Sequence, residues 1–277
     1  MKMLKAAFQA LFALVETALV YVAVLHLMGA LFRLPWRNWI DDAVWARAAP
    51  SVSAVLCMLA LYRLTRKRYA LPMRIARASE SPERFQRWFS AVTLSTAPVV
   101  LVMGVDRFES LETFHLISAS ALVASLFNVL WIALTEEFIY RYVLMSRLLH
   151  LGVPMLIAVA IQASLFLLGH GKHAFIDPHT SAWYLVGGLT LGTLYVATRS
   201  ISCTVALHVV VDICIAQTGP ASYWLTQRAI DAMRYDWAHV ATGIWTLALL
   251  GYWFHASRTR ATSPYDLAGR HTVRLLR

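Results

Sequence analysis

Long apolar runs recur along this sequence, and little of its charge falls inside them. A helix needs roughly 20 apolar residues to cross a membrane, and several of the runs reach that length. None shows the alternation of apolar and polar residues that a membrane β-barrel requires. With 59% hydrophobic and 14% charged residues, the chain also differs from soluble domains. We therefore predict an all-α, polytopic membrane helix bundle of about eight transmembrane helices. The predicted spans are 6–32, 48–64, 88–105, 116–146, 153–170, 184–198, 200–217 and 238–256.

Basic residues are unevenly distributed between the two sides of such a bundle. If the N-terminus is cytoplasmic, 18 of the 25 Lys and Arg residues lie on the cytoplasmic side, as the positive-inside rule requires. Both termini are thus predicted to be cytoplasmic, in a membrane that we take to be a bacterial inner membrane. The formal net charge of +10 is explained by anionic lipids, which attract basic juxtamembrane segments such as RLTRKR. No nucleic-acid partner is expected.

Two adjacent acids and an arginine stand in EEFIYR, near the end of the fourth apolar run. Ionisable side chains in a membrane segment are costly and mark a functional site by default. Glu137 and Arg141 are four residues apart and share a helix face, whereas Glu136 is turned about 100° away. Arg141 is therefore predicted to hold Glu137, which leaves Glu136 free to face a cavity as a general base.

Two later apolar segments each contain a histidine with a partner four residues away. Phe166 and His170 share one helix face, and His208 and Asp212 share another. Asp212 can accept a hydrogen bond from His208 and set its tautomer, or join it in ligating a metal. A turn near Gly152 would bring the first histidine segment back to the height of the acidic pair.

Together these residues resemble a known family. EEFIYR is similar to the EExxxR motif, FLLGH to FxxxH and HVVVD to HxxxN/D of the CPBP family, the CAAX prenyl endopeptidase and bacteriocin-processing intramembrane proteases, also called Abi. The three motifs occur in the family's order, and the resemblance covers about residues 116–217. It implies that Glu136 and His170 activate a water, while His208 and residue 212 stabilise the oxyanion. Because an ionised aspartate only accepts hydrogen bonds, we expect Asp212 to orient His208 or to bind a metal.

The resemblance divides the chain into three parts: N-terminal transmembrane helices with a basic cytoplasmic loop (1–115), a catalytic core (116–217), and a last transmembrane helix with a basic tail (218–277). It implies an intramembrane endopeptidase that acts on hydrophobic, prenylated or otherwise membrane-anchored peptides. The catalytic candidates are Glu136, His170, His208 and Asp212, supported by Glu137, Arg141 and Phe166. No cofactor is required on this interpretation, although zinc stays an alternative because family members have been regarded as both metalloproteases and glutamic proteases. The competing hypothesis is a non-catalytic transport, immunity or peptide-binding protein that uses the same polar cluster.

Overall fold

The computed structural model describes residues 2–70, 119–215, 240–241, 243–249 and 251. These residues form helices and their connections, and no β-strand occurs among them, which confirms the all-α prediction. The third predicted span, 88–105, lies outside the described residues. The helices are α1 (Lys2–Arg33), α2 (Ala43–Thr65), α3 (Ala119–Glu136), a π-helix (Glu137–Met145), α4 (Ser146–His150), α5 (Met155–Gly169), α6 (Pro178–Thr198) and α7 (Ile201–Ile215). The described residues of 240–251 are also helical.

Two helical stretches in the described part of the chain are long and apolar enough to cross a membrane, Leu11–Asn38 and Ala43–Thr65. The second is α2, which begins five residues before its predicted start. The carboxylate of Asp42 caps it, because one oxygen accepts hydrogen bonds from the backbone N–H of Val44 at 2.7 Å and of Trp45 at 3.3 Å. A hydropathy pattern does not reveal such a cap, so the predicted start was too late.

The predicted span 116–146 is not a uniform α-helix. From Glu137 to Met145 the backbone is wound as a π-helix, whose hydrogen bonds run from residue i to i+5, and all nine of its residues are buried. α2 packs along α3, while α1, α5, α6 and α7 all contact the π-helix. The π-helix therefore lies at the centre of the bundle, and it begins at Glu137, the second acid of the adjacent pair.

Small residues allow α5 and α6 to pack closely together. A Cβ on Gly188 would meet the backbone of Ala163, and one on Gly192 would collide with the side-chain amide of Gln162. That amide nitrogen instead donates to the carbonyl oxygen of Gly188 at 2.7 Å. The two glycines thus serve as a small-xxx-small pair that brings the helices together.

α6 begins at Pro178, six residues before the predicted span. Asp177 is its N-cap, and its carboxylate accepts hydrogen bonds from the backbone N–H and the hydroxyl of Thr180 at 2.7 and 2.9 Å. These bonds hold the pKa of Asp177 below its ordinary value. The helix ends at Arg199, whose left-handed backbone (φ 56°) turns the chain into α7.

Candidate active site

The candidate residues converge where the π-helix meets α5 and α7. Glu136 is the last residue of α3 and Glu137 the first of the π-helix, while His170 directly follows α5. His208 and Asp212 come from α7, one turn apart. Residues from four helical elements are therefore brought to one place, as the sequence argument required.

Glu137 and Arg141 form an ion pair in the interior of the bundle. Arg141 Nη1 donates to Glu137 Oε1 at 2.9 Å, and both side chains are 0% exposed. This confirms the pairing predicted from their spacing. Glu137 Oε1 also accepts a hydrogen bond from Nδ1 of His208 at 2.8 Å. Since a buried charge without partners is strongly destabilising, the acid, the arginine and the histidine hold one another in place.

The contact with Glu137 decides the proton arrangement of His208. A carboxylate can only accept, so Nδ1 carries the proton and Nε2 points to the other side of the ring. There Nε2 lies 3.6 Å from Glu136 Oε2 and 3.6 Å from Asp212 Oδ1. The sequence predicted that Asp212 orients His208 or binds a metal. In the structure Glu137 orients the ring through Nδ1, and Asp212 lies beyond hydrogen-bond distance from Nε2.

Nδ1 of His170 also faces an acceptor, but this acceptor is a neutral backbone carbonyl instead of a carboxylate. Its Nδ1 lies 2.7 Å from the backbone carbonyl oxygen of Phe166, which can only accept, so this nitrogen also carries a proton. Nε2 then faces Glu136 Oε1 at 3.6 Å. Each carboxylate oxygen of Glu136 is thus directed at the Nε2 atom of a different histidine. The side chains of Glu136 and His170 are 23% and 20% exposed, although Oε2 of Glu136 is buried.

Phe166 occupies the space between the charged groups. The guanidinium carbon of Arg141 lies 4.4 Å from the centre of its ring, a cation–π contact. The His170 ring approaches the Phe166 ring edge-to-face, with centroids 4.6 Å apart, and the His208 ring lies at 6.1 Å. Phe166 therefore contacts three of the polar residues, which is consistent with the supporting role assigned to it.

Gly169 lets the π-helix approach the end of α5. A Cβ at this position would collide with the hydroxyl of Tyr140, whose ring packs edge-to-face on Phe166 with centroids 5.4 Å apart. The residue before His170 must therefore be small.

The sequence did not predict the contacts of two further side chains, Tyr184 and Glu16. The ring of Tyr184 from α6 lies on His170, with centroids 4.1 Å apart. Glu16 of α1 accepts hydrogen bonds from Arg68 at 2.7 Å, from Tyr69 at 2.8 Å and from Arg147, which follows the π-helix, at 2.8 Å. No spacing in the sequence relates these partners, because they are far apart along the chain.

No three His, Cys, Asp or Glu side chains among the described residues are arranged to hold a metal ion. Each histidine of the site uses Nδ1 for a protein partner and has only Nε2 left. Histidines that ligate metals have the same arrangement, with Nδ1–H on a protein acceptor and Nε2 available, so the zinc alternative stays a prediction.

Comparison with known proteins identifies the region that contains these contacts. Residues 118–214 match the family model described as type II CAAX prenyl endopeptidase Rce1-like. This segment is an Rce1-like domain. The match confirms the CAAX-protease resemblance suggested by the three motifs, and all seven site residues lie within it. No curated protein and no solved structure matches the chain. The apolar helices and the match indicate an integral membrane protein in which residues 118–214 are similar to a protease family.

Proposed function

We propose that the chain is an intramembrane endopeptidase in which Glu136 and His170 activate a water to hydrolyse a peptide bond. The observation that carries this proposal is the carboxylate of Glu136, whose two oxygens each lie 3.6 Å from the Nε2 atom of a histidine. Partial exposure of Glu136 and His170 leaves one side of the group open to water and substrate. A general base needs this combination of reach and access.

In the proposed reaction, a water lies within reach of Glu136 and of the unprotonated Nε2 of His170. The water oxygen bonds to the peptide carbonyl carbon while one of its protons passes to Glu136. When the C–N bond breaks, Glu136 returns that proton to the leaving amine nitrogen. The carboxylate is thus base in the first half of the reaction and acid in the second.

His208 stabilises the oxyanion in this proposal. Protonated on both nitrogens, its ring keeps Nδ1–H on Glu137 and directs Nε2–H at the developing negative charge. Asp212 lies 3.6 Å from that Nε2 and could only accept from it, because an ionised aspartate has no proton to donate. Glu137 and Arg141 keep the stabilising group in place before the charge develops.

The proposed substrate is a hydrophobic, prenylated or otherwise membrane-anchored peptide. We place the protein in a bacterial inner membrane with about eight spans and both termini cytoplasmic, next to anionic lipids that the basic connections attract. The apolar side chains that α1 and α2 expose, among them Leu19, Leu56 and Leu64, support a lipid environment. A substrate anchored in that lipid would reach the site by lateral diffusion.

The test is cleavage of lipid-anchored peptides, with and without a prenyl group, by the purified wild type and its Glu136→Gln variant. Glu136→Gln keeps the shape of the side chain and removes the base, so we expect a loss of at least 10²-fold in kcat. Asp41→Asn removes a charge from an exposed acid in the α1–α2 connection, and it serves as the control that should leave cleavage unchanged. Cleavage by both proteins would overturn the assignment of Glu136.

Two further results of the same assay decide between the alternatives. A zinc chelator is expected to leave cleavage intact, and loss of activity that added zinc restores would favour a metal-dependent enzyme. If the folded wild type cleaves no peptide of either kind, the transport, immunity or peptide-binding hypothesis would replace the protease.

A further inference from the structure

His170 needs more support than its own helix supplies. It is the residue that ends α5, so its backbone lies at the edge of the helix, and the 3₁₀ turn Gly171–Phe175 follows at once. The hydrogen bond from Nδ1 to the carbonyl oxygen of Phe166 stays within the same turn of chain. An imidazole held only in this way would move with the helix end, and Nε2 would move relative to Glu136.

Tyr184 supplies a contact from a second helix. Its ring centre lies 4.1 Å from that of His170, with the two planes inclined by only 32°, so one broad face of the imidazole is covered. Phe166 approaches with its planes at 64° and its centre at 4.6 Å. The imidazole therefore contacts one aromatic ring of its own helix and one of α6, and these two rings also contact each other, with centroids 6.4 Å apart. Offset aromatic pairs at such distances are attractive beyond the area that they bury.

α6, which carries Tyr184, is fixed by its N-cap and by its contacts with α5. Its start is fixed by the Asp177 cap, and Tyr184 follows within the next two turns. Only four residues beyond Tyr184, Gly188 lies against Ala163 and accepts a hydrogen bond from Gln162. α6 therefore packs tightly on α5, the helix that His170 follows, and this packing keeps the Tyr184 ring close to His170.

We propose that Tyr184 is a positioning residue whose ring holds His170 with Nε2 directed at Glu136. This inference rests on the proposed function, in which His170 and Glu136 activate the water together. Tyr184 touches neither the water nor the peptide bond in this proposal and acts only through the histidine. Its aromatic ring carries the effect, because the contact with His170 is ring on ring.

The kinetic test compares Tyr184→Leu with Tyr184→Phe. Leucine removes the ring, and we expect kcat to fall by about tenfold or more with KM within about threefold, since small misplacements of catalytic groups are costly. Phenylalanine keeps the ring, so kcat should stay within about threefold of wild type. Trp183→Leu is the matched control, because this buried ring of the same helix packs on Val186 and Val240. It should keep kcat at an equal folded fraction.

A second measurement does not need peptidase activity. Diethyl pyrocarbonate modifies the unprotonated nitrogen of an imidazole, and mass spectrometry reads the rate at each histidine separately. Modification of His170, relative to the exposed His173 nearby, should be faster in Tyr184→Leu and unchanged in Tyr184→Phe. A raised rate in a protein that cleaves no peptide would overturn the proposed function and retain the contact.

Three results would overturn the inference itself. One is an unchanged His170 modification rate in Tyr184→Leu. Another is a Tyr184→Phe variant as impaired as Tyr184→Leu, which would assign the effect to the hydroxyl. The third is a rise in KM at constant kcat, which would make Tyr184 a substrate contact.

Discussion

The two histidines of the site are held in opposite ways. His208 lies within α7 and is fixed by the carboxylate of Glu137, which Arg141 neutralises, and all three side chains are buried. His170 lies at the end of α5, is partly exposed and is held by a backbone carbonyl and aromatic rings. In the proposed mechanism the charged side is set before the reaction, because it receives the oxyanion. The aromatic side stays open in that mechanism, because water and substrate enter there.

The strongest test of this difference between the two histidines is to remove Arg141, the cation that pairs with Glu137 next to His208. Arg141→Ala leaves Glu137 charged and 0% exposed without its main partner. We expect a loss of about 3–5 kcal/mol in the free energy of unfolding, measured by denaturant or thermal unfolding in detergent. Arg141→Met fills the space and should lose nearly as much, since packing does not replace the charge.

An exposed arginine provides the control for that measurement. Arg68 also pairs with a buried acid, Glu16, but its side chain is 62% exposed, and Arg147 remains bound to the same carboxylate. Arg68→Ala should cost no more than about 1 kcal/mol. Equal losses in Arg68→Ala and Arg141→Ala would show that burial does not distinguish the two ion pairs.

The second test is to remove each histidine in turn. His170→Ala should reduce kcat by about 10²–10⁴-fold while the free energy of unfolding changes by less than about 1 kcal/mol. His208→Ala should reduce both, because Glu137 loses a buried hydrogen-bond donor, at a cost of about 1–3 kcal/mol. Cleavage rates and unfolding curves of the same preparations separate the two effects.

The exposed His173 is the control for both histidine variants. His173→Ala should leave cleavage and unfolding as they are in the wild type. If His170→Ala destabilised the fold as much as His208→Ala, the contrast between a partly exposed histidine and a buried, hydrogen-bonded one would be wrong.

A third variant sharpens the comparison on the aromatic side alone. In Gly169→Ala the new methyl group meets the Tyr140 hydroxyl, and the displaced ring would disturb Phe166 and His170. Overpacking of this kind costs about 1–3 kcal/mol, and we expect about a tenfold loss in kcat. Removing the hydroxyl in the double variant Gly169→Ala, Tyr140→Phe should recover most of the loss. Failure of this rescue would show that another contact excludes the methyl group.

Patterns along the chain were sufficient for the local part of this site. The i,i+4 spacing predicted the Glu137–Arg141 pair. The three motifs contain the four catalytic candidates, but not Tyr184, whose ring lies on His170. Hydropathy predicted the long helices α1, α2, α3, α5, α6 and α7. It placed the starts of α2 and α6 too late, because single Asp caps decide them. The eight-span topology stays a prediction.

The contacts between distant segments were not predictable in the same way. Glu137 and His208 are 71 residues apart, and Glu16 and Arg147 are 131 apart. Such pairs depend on how helices pack, and a single sequence contains no period that relates them. The π-helix was missed for a related reason: its apolar residues suit a period of 3.6 residues as well, and burial at the centre of the bundle accompanies the wider winding.

The smallest expected effect concerns Asp212, which is not among the residues that hold His208 or His170 in place. It lies 3.6 Å from Nε2 of His208 and is not the residue that sets the tautomer of that ring. Asp212→Ala should therefore lower kcat by only about tenfold, less than His208→Ala, because the oxyanion donor stays bound to Glu137. Asp212→Asn should retain more turnover than Asp212→Ala, since an amide can accept from Nε2–H and also donate to the oxyanion. Cleavage assays on the two variants decide the matter. A loss in Asp212→Ala as large as that in His208→Ala would mean that the aspartate acts on the substrate itself. The charged part of the site would then include Asp212, one turn beyond His208 on α7.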